Sequence, residues 1–212
     1  MKISKAAANL IIEQEVSSKA IYIKKYQRPE WPGASSGVTV GIGYDLGQAS
    51  PQKIEDDWKG IVDDDMLQVM IGCSGYTGSR GSLKTEQVKN KILITWDQAI
   101  KVFEEKDMPS WEAKVAKILP NTNLLTPDQF GVLVSLSYNR GLSFNNSGDR
   151  FTEMRAIKAA MTSKQFDKIP AQLRKMKRLW PNLRGLINRR EAEAKLFESS
   201  FKSSKTIGNE EE

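Results

Sequence analysis

The stretch GVTVGIGYDLG, Gly37 to Gly47, constrains the fold of this chain more than any other. Its residues alternate with the period of a β-strand, so Val38, Val40, Ile42 and Tyr44 share one face and Thr39, Gly41, Gly43 and Asp45 the other. A straight strand, rising roughly 3.3 Å per residue, would hold Thr39 and Asp45 about 20 Å apart. The closely spaced glycines argue for a bend instead. With Gly41-Ile42-Gly43 as the turn of a short hairpin, Val40 faces Tyr44 and Thr39 faces Asp45 across the ladder. A hydroxyl and a carboxylate then meet beside a backbone nearly bare of side chains.

No other stretch signals a strand as clearly, and the remaining signals are helical. Ala6, Leu10 and Ile11, with Ile3 and Ala7, give an amphipathic first helix ending near Glu13 to Ser17. The segment YIKKYQRPEWPGASSG reads as a loop, and Ser50-Pro51 starts a helix by cap and first-turn proline. Short helices are expected around Asp63 to Gly72 and Thr85 to Leu93, separated by the loop SGYTGSRGS. Thr95-Trp96-Asp97-Gln98 and Thr126-Pro127-Asp128-Gln129 are capping boxes. The helix after Thr126 is apolar nearly all round, as a buried central helix is, and stops at Gly141. Further helices are expected at Arg150 to Met161, Ser163 to Lys175 and Asn188 to Ser200, followed by a tail.

Composition limits the chemistry. The 212 residues contain no histidine, which excludes Ser-His and Cys-His nucleophilic pairs and histidine-ligated zinc, and leaves carboxylates as the acid and base. The single cysteine, Cys73, permits no intramolecular disulfide. No apolar run approaches the roughly 20 residues that span a bilayer. The N-terminal MKISKAAANLIIEQEV reads as a helix and not a signal peptide, because Asn9 interrupts its apolar run and Glu13 and Glu15 follow. A net charge of +6 suits an anionic partner, whether nucleic acid, membrane surface or bacterial wall polymer, or serves solubility alone.

Three groups of residues invite a functional reading. GIGYDLG has the wrong glycine spacing for a nucleotide fingerprint, and no strand-helix-strand pattern surrounds it. The basic run LRKMKRLWPNLRGLINRR reads better as a solvated helix face than as a phosphate track. The strongest group is Glu15 at the end of the first helix with Thr39 and Asp45 on the hairpin. Two carboxylates and a hydroxyl can cleave a glycosidic bond, one acid protonating the leaving oxygen while another group activates or holds water. Asp45 could equally satisfy backbone groups of its own turn.

Glu15 followed seven residues later by Tyr22, and then GVTVGIGYDLG, resembles the acid-to-hairpin segment of phage-type lysozymes, glycoside hydrolase family 24. QFGVLVSLSYNRG resembles the family's buried helix, and GLINRREAEAKLF its terminal helix. Many members carry an aspartate or cysteine nine residues after the glutamate, where this chain has Lys24. A threonine followed six residues later by aspartate is instead similar to the pesticin-like branch, which moves the second carboxylate to Asp45.

The resemblance implies an α+β, lysozyme-like fold, mostly helical, with one small β-hairpin lobe and a cleft between lobes. A single catalytic domain is expected over 1–202, its small lobe at about 15–48 and its helical lobe at about 50–202 plus the N-terminal helix, with 203–212 a flexible tail. It also implies a bacteriolytic muramidase that cuts the β-1,4 bond between N-acetylmuramic acid and N-acetylglucosamine, with Glu15 as general acid, Asp45 as base or charge stabiliser, and Thr39 orienting water. Asn139, Arg189 and Trp31 are the substrate-contact candidates, Arg189 also for holding Glu15 in place. The bare glycine face would admit a sugar ring. Inversion, with the two carboxyls roughly 6.5 to 9.5 Å apart, is the expected stereochemistry. The expected partner is bacterial peptidoglycan, reached from the cytoplasm by release or injection, with no metal, cofactor, nucleic acid or membrane insertion and a monomeric chain. A lytic transglycosylase and a non-catalytic wall-binding protein are the alternatives.

Overall fold

The computed structural model describes residues 1–207, which are mostly helical with one two-stranded antiparallel sheet. This is the α+β class indicated by the sequence. The chain forms two compact units, one of Glu15–Pro109 and one joining Met1–Gln14 to the chain from Ser110 on. The division falls inside the first helix, α1 (Lys5–Val16). Among the described residues no helix is long and apolar enough to cross a membrane.

In the Glu15–Pro109 unit, α1 ends because Ser17 takes a left-handed φ of 64°. Ser18 then caps α2 (Lys19–Ile21), which widens into a π-helical turn over Tyr22–Tyr26. The expected loop is therefore helical at its start. Buried Tyr22 fixes this turn by donating its hydroxyl to Ile94 O at 3.0 Å and setting its ring edge-on to Trp96.

The hairpin follows as β1 (Thr39–Val40) and β2 (Tyr44–Asp45), pairing Thr39 with Asp45 and Val40 with Tyr44. Gly41 and Gly43 make its turn at φ of 59° and 71°, a region that disfavours any residue with a Cβ. Val38, Val40, Ile42 and Tyr44 are all buried. The Tyr44 hydroxyl donates to Asp57 Oδ2 at 2.7 Å, and the Lys53 ammonium meets the same oxygen at 2.5 Å. Burial, with Asp57 beside it, pushes the Tyr44 phenol far above its ordinary range.

Four α-helices follow in this unit, α3 (Pro51–Trp58), α4 (Asp64–Ile71), α5 (Gly78–Val88) and α6 (Trp96–Val102), the last running on into a π-helical turn over Phe103–Asp107. The unit that begins at Glu15 thus continues well past residue 48. Ser50 and Thr95 cap their helices as expected, Thr95 with Gln98 forming the full capping box, and Asp63 caps α4 as well. The expectation of a loop at SGYTGSRGS and a helix from Thr85 to Leu93 is corrected: α5 begins at Gly78 and ends at Val88. Glycine there reflects a close approach, not a loop. A Cβ on Gly81 would lie 3.0 Å from both Ser36 O and Tyr76 O, and 3.2 Å from Gly37 Cα.

The second unit contains most of α1, then α7 (Met108–Ile118, entering from the last residues of the first unit), α8 (Pro127–Arg140), α9 (Thr152–Thr162), α10 (Ile169–Lys175) and α11 (Arg184–Ile207). α8 is the buried central helix: its capping box is formed by Thr126 and Gln129, every residue from Gln129 to Ser137 is buried, and Gly141 ends it at φ 71°. α1 lies so close to it that a Cβ on Gly131 would stand 2.2 Å from that of Ala7.

Two boundaries are corrected. α10 starts at Ile169 and not Ser163, because Lys164 is held at a φ of 58°. α11 starts at Arg184, ahead of Asn188, and runs past Ser200 to Ile207, so part of the expected tail is helical backbone. Residues 208–212 of that tail lie outside the described residues. The basic run is matched by acids: Arg174 pairs with Glu191 and Glu198, Lys177 with Glu191, and Arg178 with Asp149 and Glu153.

Candidate active site

Thr39 and Asp45 are cross-strand partners, and the hydrogen bonds show which kind. Val38 O accepts from Leu46 N–H at 2.8 Å, while the Thr39 amide and carbonyl turn away from β2. Thr39–Asp45 is therefore a non-hydrogen-bonded pair, the arrangement that brings Cα atoms to about 4.5 Å and side chains closest. Asp45 is nevertheless occupied: its Oδ2 accepts Gly37 N–H at 2.9 Å and its Oδ1 accepts Gln48 N–H at 3.1 Å. The Thr39 hydroxyl donates to Gly37 O at 3.3 Å, which leaves its lone pairs to accept.

Part of the glycine face is covered by protein, while Gly43 is half-buried. Gly41 is buried, and a Cβ there would meet Trp58 at 3.5 Å and Ala99 at 3.6 Å. Gly37 and Gly47 serve the base of the hairpin. A Cβ on Gly47 would lie 2.3 Å from Tyr76 O and 2.7 Å from Gly37 Cα.

On its other edge, Thr39 exchanges both backbone bonds with Glu30, Glu30 N–H to Thr39 O at 2.9 Å and Thr39 N–H to Glu30 O at 2.8 Å. A hydrogen-bonded antiparallel pair sends its side chains to the same face. Glu30 thus stands beside Thr39 on the face that also carries Asp45. Trp31, next in the chain, is 36% exposed and anchors this loop by donating Nε1–H to Ser36 O at 2.9 Å. Glu30 was invisible to sequence reasoning, since one paired residue between two prolines has no periodicity. The only signal was an acid beside the conspicuous Trp31.

Glu15 sits half-buried in the last turn of α1, whereas Glu13 is exposed. Asn139 and Arg189 belong to the second unit. Asn139 is half-buried in the last turn of α8, and its Oδ1 is buried with no hydrogen-bond partner among the described residues, an acceptor suited to an N–H or O–H donor. Arg189 is 3% exposed; it donates to Ser135 O at 3.1 Å and reaches Glu193 Oε1 at 3.4 Å. Glu193, itself fully buried, also accepts from Ser135 Oγ at 2.7 Å and from Arg190 at 2.8 Å. That arrangement keeps each buried charge paired.

No curated protein is similar enough to the chain to be matched to it. The sequence model of the phage lysozyme family matches residues 57–193, more than half of the chain. The match begins after the hairpin, so Glu15, Glu30, Thr39 and Asp45 precede it and Asn139 and Arg189 fall within it. With the mostly helical α+β fold and its single small sheet, this match places the chain in the phage lysozyme family.

Proposed function

We propose that the protein is a muramidase of the pesticin-like branch, hydrolysing the β-1,4 bond between N-acetylmuramic acid and N-acetylglucosamine in peptidoglycan. The observation that carries this reading is the register of the hairpin, which sets the Thr39 hydroxyl opposite the Asp45 carboxylate in a chain of the phage lysozyme family. Glu15 protonates the leaving glycosidic oxygen. Thr39 positions the attacking water through a lone pair of its hydroxyl. Asp45, whose two oxygens already accept backbone N–H groups, holds the hairpin and places negative charge beside the oxocarbenium-like transition state. Trp31, in the same unit as the three catalytic candidates, is assigned to substrate contact, and the net charge of +6 favours an anionic wall.

Digestion of purified peptidoglycan, with mass analysis of the fragments, tests the reading. Hydrolysis yields reducing N-acetylmuramic acid ends, a transglycosylase yields 1,6-anhydro ends, and a non-catalytic binder yields neither. Glu15→Gln is expected to lower the rate by about a hundred- to ten-thousand-fold, the usual worth of general acid catalysis, with the fold intact. Glu13→Gln, on exposed helix surface about 200° round from Glu15, leaves the rate unchanged. Thr39→Ala falls between. A folded Glu15→Gln variant with the parent rate would sink the assignment.

A further inference from the structure

We propose that Glu30, set beside Thr39 by their paired backbone bonds, is the general base that takes a proton from the attacking water. The inference rests on the muramidase reading and adds to it a residue that neither the sequence pattern nor the family match assigns.

Glu30, Thr39 and Asp45 form one lateral row. Glu30 and Thr39 are the hydrogen-bonded pair, with Cα atoms about 5.5 Å apart, and Thr39 and Asp45 the non-hydrogen-bonded pair at about 4.5 Å. All three side chains leave the same face of the sheet. The two carboxylates differ in what already holds them. Both Asp45 oxygens already accept backbone N–H groups, from Gly37 and from Gln48, that close the hairpin base. The Glu30 carboxylate, half-buried, makes no hydrogen bond or ion pair among the described residues. It lies close enough to Lys25 to help Tyr26, the larger influence, hold the proton on that ammonium.

The row can seat one water. One of its hydrogens points to the Thr39 lone pair and the other to Glu30, leaving an oxygen lone pair for the anomeric carbon. As the new C1–O bond forms and the old one breaks, the Glu30 carboxylate accepts the water proton and Glu15 gives its proton to the leaving oxygen. Charge and atoms balance, and the product is inverted. The base is carried on paired backbone and flanked by the buried Pro29 and the anchored Trp31, which holds it in place.

Glu30→Gln removes the base and leaves the backbone pairing intact, so its melting temperature should match the parent's. Its rate of reducing-end release should fall about a hundred- to ten-thousand-fold. Sodium azide, a nucleophile that needs no base, should restore turnover and yield a glycosyl azide detectable by mass, whereas Glu15→Gln should not be rescued. Glu30→Asp, with a shortened carboxylate, should keep part of the rate without azide. Glu30→Gln at the parent rate, or inactive and unmoved by azide, overturns the role of Glu30 while leaving the muramidase reading to stand on Glu15→Gln. Parent activity in Glu15→Gln defeats that reading instead.

Discussion

Gly131→Ala tests a close helix contact of the second unit. The new methyl would lie 2.2 Å from the Cβ of Ala7 and 3.2 Å from that of Ile3, where carbon atoms ordinarily rest about 3.5 to 4.0 Å apart. α1 and α8 must separate or bend, and overpacking of this kind costs about 1–3 kcal/mol. Alanine's better helix propensity returns up to about 1 kcal/mol. The single variant should therefore lose about 1 kcal/mol. Ala7→Gly leaves the contact open, losing one buried methyl, about 0.8 kcal/mol, and up to about 1 kcal/mol of propensity. In the double variant the methyl has only crossed the interface and the propensities cancel, so its stability should lie within about 1 kcal/mol of the parent. The singles predict a loss of about 3 kcal/mol if independent, so a coupling of at least about 2 kcal/mol is expected. Urea unfolding of the four proteins, compared by midpoint at constant m, measures it. Additivity within about 0.5 kcal/mol would refute the contact.

The Glu191 carboxyl is held below its ordinary range, first by the Lys177 ammonium and then by Arg174. A carboxyl with a depressed folded pKa adds stability above the unfolded pKa, near 4.3, and loses it as pH falls through the folded value. Glu191→Gln should thus be less stable than the parent near pH 6, with the gap closing toward pH 3; a gap independent of pH would refute this. Cys73 is buried, and its thiol is pushed up to about 11 by desolvation. A raised thiol pKa adds stability below its unfolded value and loses it as pH rises through the folded one. A thiol reagent at pH 8 should therefore label Cys73 only as fast as the unit opens, and immediate labelling would contradict its burial.

The features legible in the sequence were those set by neighbours along the chain. Gly41 and Gly43 announced a turn because the backbone needs left-handed residues there, and Thr95 and Thr126 announced helix starts because a cap and its partner sit three residues apart. The miss at α5 has the opposite origin. Gly78 and Gly81 lower helix propensity locally, yet the helix forms because Gly81 must pass within contact of Ser36, Gly37 and Tyr76. Of the candidate site, Thr39 and Asp45 were read from the alternation of the hairpin and Glu15 from its place at the end of the first helix, and the resemblance added their roles. Glu30 was not found, because its pairing is a single backbone exchange with Thr39 across an irregular loop, which leaves no periodic trace.

The clasp made by Asp45 also bears on the order in which the molecule assembles. Its two oxygens tie Gly37 and Gln48 into a ring contained in a dozen consecutive residues. A loop of about this size closes in roughly 10–100 ns, whereas a ribosome adds about 5–20 residues each second. Once exposed, the ring can close and reopen vast numbers of times in the interval between one added residue and the next. A lone hairpin is at best marginally stable in water, so these closures remain transient until something holds them. That hold comes from residues made later, Tyr76 and Gly81, whose backbone meets the glycines at the hairpin's base. Nascent chains arrested before residue 76 should therefore show this ring only fleetingly, and lengthening past α5 should lock it.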